Sequence, residues 1–442
     1  MKVFVIAGIF LVTAVVGCSD DDVAGDRAVA RVPIDSEGTN KDVTQPSAGT
    51  ARHRTPRDER RQPKHLNSPR GRRYAGLSLD EWRQRMKDLD PLSPESAAAV
   101  PGLIELVKDR DLPWFTRRQA ALILGRMGPR GRAAIPLLVE FLQETTGQAD
   151  VPTRLWAAKA LALFGPEAKS AAPVLNRLMR DQTQPISHRQ AMIEVLARIG
   201  TAHADVVPGL IEVLTNQSRN VSKTAEERAL REAATDGIAM IGPAAATAIP
   251  ALIRATRDPN ETLRRKSVAA LGAMGARAEI AIAALAESMA LDESPAVRDS
   301  AVEALAKVGP AAIAVLKRLI QDREAERRWR AAESLGRMGS AAKPATALLT
   351  QALDDKHALV RITAVEALWK ITADAKRIMP ALILELTNED RRIRIRAFRL
   401  ITRMGPQAHT AVEPLKKLLK DERSSVRQTA SKALQMIHRG QK

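Results

Sequence analysis

Ten times along this 442-residue chain a short phrase recurs. An apolar residue precedes Gly at Gly128, Gly165, Gly200, Gly242, Gly275, Gly309, Gly339 and Gly405, with Thr372 and His438 in the same slot, and successive slots lie 30 to 42 residues apart. Eleven residues before every slot stands an arginine: Arg117, Arg154, Arg189, Arg231, Arg264, Arg298, Arg328, Arg361, Arg394 and Arg427. A period of this length is the mark of a solenoid, in which each unit buries its apolar face only against its neighbours. One closed core for the whole chain is thereby excluded.

Within each phrase Leu or Ile stands four residues before the slot, and Met, Phe, Ile or Val one before. These offsets form one stripe of a helix that ends at the slot, where Gly takes a left-handed conformation without a Cβ penalty. An earlier apolar stretch in each unit predicts a first helix, and Pro101, Pro136, Pro173, Pro208, Pro250 and Pro380 mark where it starts or bends. Only 3% of the residues are aromatic, which suits helices that approach closely through alanine.

Six residues before the repeated arginine comes Asp111, Asp258, Asp292, Asp322, Asp355 or Asp421, with Asn388 as a further polar match. Gln148, Thr183 and Ala225 take that place in units two to four. Pro, then Asp eight residues on, then Arg six further, resembles the HEAT repeat. The resemblance implies an all-α fold, a right-handed α-solenoid of about ten two-helix repeats, in which Asp and Arg form a ladder between units and second helices line the concave face. The resulting division is 1–17 signal peptide, 18–75 tether, 76–92 capping helix, 93–438 repeats and 439–442 tail.

The N-terminus has its own logic. Lys2 precedes an uncharged stretch from Val3 to Gly17 that is too short to span a bilayer, and the only cysteine, Cys18, follows. Val15-Val16-Gly17-Cys18 resembles a bacterial lipobox, which implies lipidation of Cys18 and export to the periplasmic face of the outer membrane or the cell surface. Residues 19–50 hold seven acids and three bases, and 51–75 nine bases and two acids, without apolar periodicity. That composition predicts a disordered tether whose basic half can lie on anionic lipid heads.

Catalytic signatures are absent from the sequence. None of the seven histidines lies within four residues of another or precedes Glu, and one cysteine cannot build a thiolate zinc site. No metal or cofactor is expected. The iron-binding His-Glu dipeptides of deoxyhypusine hydroxylase, a relative of the same repeat class, are missing. A bilin-lyase-type or enzyme-accessory role is the alternative reading.

Of the formal net charge of +18, most sits at the C-terminus, where residues 391–442 hold fourteen bases against Glu413, Asp421 and Glu422. Second helices elsewhere offer self-neutralising pairs four residues apart: Glu194 with Arg198, Glu303 with Lys307, Glu333 with Arg337, Glu366 with Lys370. Unit nine departs from this with Arg392, Arg396, Arg399 and Arg403, which Lys432 extends. These four are expected to form an anion-binding stripe for an acidic protein partner, an anionic glycan or lipid head groups. Nucleic acid does not fit an exported chain. Replacing Cys18 by Ala is expected to abolish fatty-acid labelling and release the protein from membranes; a wild-type protein that is unlabelled and soluble on fractionation refutes the anchor.

Overall fold

The computed structural model describes residues 71–144, 151–200, 206–216 and 225–439. Cys18 and the tether up to Arg70 lie outside the described residues. Ten helix pairs follow one another. Units one to three are Val100–Lys108 with Trp114–Arg126, Ile135–Gln143 with Val151–Phe164, and Ala172–Arg180 with Ile186–Gly200. Units four to six are Val207–Thr215 with Ala225–Ile241, Ile249–Ala255 with Glu261–Ala273, and Ile282–Leu291 with Pro295–Val308. Units seven and eight are Ile313–Leu319 with Ala325–Arg337 and Thr346–Gln351 with Ala358–Thr372. Units nine and ten are Ala375–Glu385 with Arg391–Met404 and Val412–Leu418 with Ser424–Arg439. The result is an α-solenoid.

Pro101, Pro136, Pro173, Pro208 and Pro250 stand in the first turn of their helices, where a missing N–H costs nothing. Pro380 instead lies inside Ala375–Glu385, because that helix begins a turn earlier at its Asp374 cap. The phrase glycines at 128, 165, 242, 275, 309, 339 and 405 have positive φ, while Gly200 stays helical. At Gly405 φ is 56° and ψ −128°, the first central position of a type II′ turn, a region that residues with a Cβ avoid more strongly than the left-handed helix. Most of these glycines lead into a short 3-10 turn that hands the chain to the next unit. Where Thr372 fills the slot the second helix simply runs through it, and Ala373 takes the left-handed conformation at φ 52°.

The core is a continuous aliphatic stack of residues from both helices of each unit. Successive second helices pack closely on one another whereas successive first helices touch little. Small residues make that approach possible. A Cβ added to Gly272 would lie 2.8 Å from the Ala304 Cα, and one on Gly336 2.9 Å from the Ala367 Cα. Three residues before the slot stands Gly or Ala in units one to seven, but Trp369 in unit eight and Thr402 in unit nine. The second helix of unit eight packs closely on that of unit seven and less on that of unit nine.

The expected capping helix is Leu79–Asp88, closed at its N-terminus by a reciprocal box between Ser78 and Glu81. A feature without a sequence signal precedes it: Arg73–Tyr74 pairs antiparallel with Leu77–Ser78. Trp82 is buried and its Nε1 donates to the Tyr74 carbonyl at 2.7 Å, while the Tyr74 hydroxyl donates to Asp109 at 2.6 Å. Desolvation and that carboxylate hold the Tyr74 hydroxyl well above its usual pKa. The last residues of the segment read as tether are thus fastened to unit one.

Two substitutions test the slot. Ala373→Gly should stabilise the protein by about 1 kcal/mol, because glycine takes positive φ freely. Gly405→Ala should destabilise it by about 1–3 kcal/mol through backbone strain. Chemical denaturation of the two variants should show the opposite signs.

Candidate functional site

The ten repeated arginines begin at the turn joining the two helices of a unit. In units five to ten Nη1 donates to two turn carbonyls six and five residues back: Arg328 to Asp322 and Arg323 at 2.9 and 2.8 Å, Arg394 to Asn388 and Glu389 at 2.7 and 2.8 Å. In units one to three Nε takes one carbonyl ten residues back instead, as Arg189 takes Met179 at 2.8 Å. Either way a charged donor satisfies carbonyls that a helix end leaves without partners.

The other guanidinium edge faces the next unit. Arg231 meets Asp258 at 2.7 Å, Arg264 meets Asp292 at 2.9 Å and Arg328 meets Asp355 at 2.6 Å. Arg298 uses Glu326, and Arg361 uses the fully buried Glu385, because Asn388 occupies the acid's place in unit nine. Each turn acid also accepts the amide two residues on, as Asp355 does from His357 at 2.9 Å. Burial alone would raise the pKa of Asp355, but the bonds from Arg328 and the His357 amide bring it below its ordinary value. The carboxylate ladder therefore runs between units four and nine.

Towards the N-terminus the structure revises the expected partners. The turn acid of unit one is Asp109, not Asp111: it accepts the Asp111 amide at 3.0 Å and receives Arg72 at 2.9 Å. In unit three Asp181 performs that role two residues before Thr183. In unit four the residue closing the first helix is Asn216, whereas Ala225 already lies in the second helix. Arg117 lies over the rings of Phe141 and Trp156, 5.0 and 5.6 Å from their centroids, and Arg154 bonds Gln184.

The expected pairs on the second-helix face form at Glu194–Arg198, Glu303–Lys307 and Glu333–Arg337, with separations of 3.1, 2.8 and 2.8 Å. Glu366 is different. It leaves Lys370 and accepts, through its two oxygens, the Nε and Nη2 donors of one edge of Arg396 from unit nine at 3.0 and 2.6 Å, while the Thr363 hydroxyl accepts a third bond from Arg396 at 3.0 Å. A planar guanidinium with paired donors outcompetes a flexible ammonium for one carboxylate. Lys266 makes the corresponding backward reach to Asp236 at 2.7 Å.

The four arginines of unit nine consequently have unequal surroundings. Arg392 sits in the first helical turn and is held by Asp390 at 3.1 Å. Arg396 is half-buried in its bridge. Arg399 and Arg403 are exposed, and among the described residues no carboxylate lies within ion-pair distance of either. Lys370, released by Glu366, is exposed and equally without an ion pair, as is Lys432. Six residues before the slot the face reads Glu303, Glu333, Glu366, then Arg399 and Lys432, a reversal of sign at the joint between units eight and nine. Among the described residues no group of three or more His, Cys, Asp or Glu is arranged to hold a metal ion.

A family model described as HEAT repeats matches residues 141–231, 222–306, 282–369 and 379–442. The chain belongs to the HEAT-repeat family. A second model, the PBS lyase HEAT-like repeat, matches residues 116–144. A comparison with curated proteins gives no significant match. Among solved structures, a chain in the structure of Kap95p bound to RanGDP is similar at a TM-score of 0.51 and 12% identity, covering 81% of this chain and 52% of its own. Importin beta in an ammonium sulfate condition is similar at 0.47 and 14%, covering 83% and 55%, and an engineered protein at 0.37 and 21%, covering 77% and 98%. The chain spans about half the length of the importin-type structures. At 12% identity the likeness to the Kap95p structure shows the fold alone.

The ladder can be tested at the buried joint between Arg328 and Asp355. A group with a depressed folded pKa contributes stability above its unfolded pKa of about 4 and loses it as pH falls through the folded value. Asp355→Asn should therefore cost about 3 kcal/mol at neutral pH, because it leaves Arg328 buried and unpaired, and the deficit should shrink below about pH 4. Urea denaturation of both proteins across pH 3–7 measures this.

Proposed function

We propose that this HEAT solenoid is a non-catalytic scaffold, tethered to a bacterial envelope membrane through a lipidated Cys18, that recruits an acidic protein partner at its C-terminal end. The observation that carries the reading is the sign reversal at unit nine, where Arg399 and Arg403 replace the self-neutralised pairs of earlier units and stand exposed without carboxylates. Two uncompensated guanidinium groups one helical turn apart are destabilising by themselves and are relieved by an anionic surface. Lys370 and Lys432 widen the patch. Arg396, fixed by Glu366, positions the helix, and Arg392 extends the charge to its N-terminal end. A fold that presents a long inner surface suits protein recognition, and the similar Kap95p structure holds a protein, RanGDP. A lyase-like role draws support from the single-unit match at residues 116–144.

Replacing Arg399, Arg403 and Lys370 together by Gln should weaken capture of the envelope partner about tenfold or more at low salt and flatten its salt dependence. Thermal stability should hardly change, since none of the three makes an ion pair. Crosslinking followed by pull-down from envelopes, at low and high salt, is the measurement. Undiminished capture of the same partners by the triple variant would reduce the patch to a solvated cap. Release of a glycan or a lipid instead of a protein would reassign its ligand.

A further inference from the structure

Between units three and four a groove of about 530 Å³ opens, lined among others by Arg180, Arg189, Glu212, Asn216 and Arg231. The ladder stops short of this joint. Arg189 is anchored like its neighbours, donating from Nε to the Met179 carbonyl at 2.8 Å. Its counterpart Arg231 makes the same kind of bond to Leu214 and also holds Asp258, but no carboxylate lies within ion-pair distance of Arg189 among the described residues.

The cause is one residue. In units six and eight the residue that closes the first helix in an extended conformation is Asp292 or Asp355, and it receives the arginine of the preceding unit. In unit four the residue at that place is Asn216, with φ −67° and ψ 91° and its amide bonded to Glu212 at 2.9 Å. An amide of the same shape sits where the ladder has a charge. The adjoining stretch 217–224 contains neither Asp nor Glu, so it supplies no replacement. Burial accordingly holds Arg189 below the usual guanidinium range, although Asp181, Glu226 and Glu227 act from a distance to raise it.

We propose that this groove binds one carboxylate presented by a polypeptide, an Asp or Glu side chain or a chain terminus, in the place the ladder leaves neutral. The groove is anchored for a single charge. Arg180 is already engaged by Glu212 at 2.7 Å, Arg231 by Asp258, and Glu226 lines the same opening, so a polyanion is repelled more strongly than a lone carboxylate. Paired Nη donors on a half-buried guanidinium match a carboxylate in geometry, and partial desolvation strengthens the bond.

The experiment uses the full chain labelled with 15N-arginine and follows the Nε–H resonance of Arg189, identified by its loss in Arg189→Lys. The probes are N-acetylglycine, which imitates a chain terminus, N-acetylaspartyl methylamide, which imitates a side chain, and inorganic phosphate. At least one carboxylate probe should shift the resonance saturably, and the tighter of the two identifies the source. Asn216→Asp supplies the missing charge from within, so it should itself move the resonance and weaken the carboxylate probe about tenfold. Absence of a saturable shift with both carboxylates, undiminished binding to Asn216→Asp, or tighter binding of phosphate overturns the proposal. Asn216→Asp leaves Arg399 and Arg403 untouched, so the outcome is independent of envelope-partner capture.

Discussion

Everything in this array hangs on one guanidinium per unit. A two-helix repeat has a turn in its middle whose carbonyls have no helical partner, and it has no closed core to make up the loss. The repeated arginine donates to those carbonyls through one edge and, between units four and nine, reaches the neighbouring unit through the other. Local closure and stacking are therefore a single interaction. Loss of one such arginine uncaps a turn, and in units four to eight it also unfastens a joint; the capping role is the one shared by the ten offsets, where glycine, proline and aspartate are each replaced somewhere.

The same economy governs spacing. The second helices approach until small residues meet backbone, as Gly272 meets Ala304 and Gly336 meets Ala367. Charge on their inner face is then settled locally, by pairs within a helix, or across a joint, as with Glu366 and Arg396. Where neither settlement is available charge remains open to a partner, as at Arg399 and Arg403.

Much of this was legible in the chain. The arginine offset, the slot glycines and the proline positions fix units, helix ends and the buried stripe, because each rests on backbone geometry that few residue types satisfy. The acids were harder to place. Counting six residues back from Arg assumes a turn of constant length, but the structure selects the residue that closes the first helix, which is Asp109, Asp181 or Asn216 when turns are longer. The Glu366–Lys370 pair looked sound on one helix, and the competing Arg396 stands 30 residues away in sequence. Two-residue strands at Tyr74 and Leu77 carry no periodicity at all.

The bridge from Glu366 to Arg396 has a consequence beyond the joint it fastens. By turning to the next unit, Glu366 leaves Lys370 exposed without an ion pair among the described residues, so one contact both ties units eight and nine together and adds an open cation to the run of second helices that carries Arg399 and Arg403.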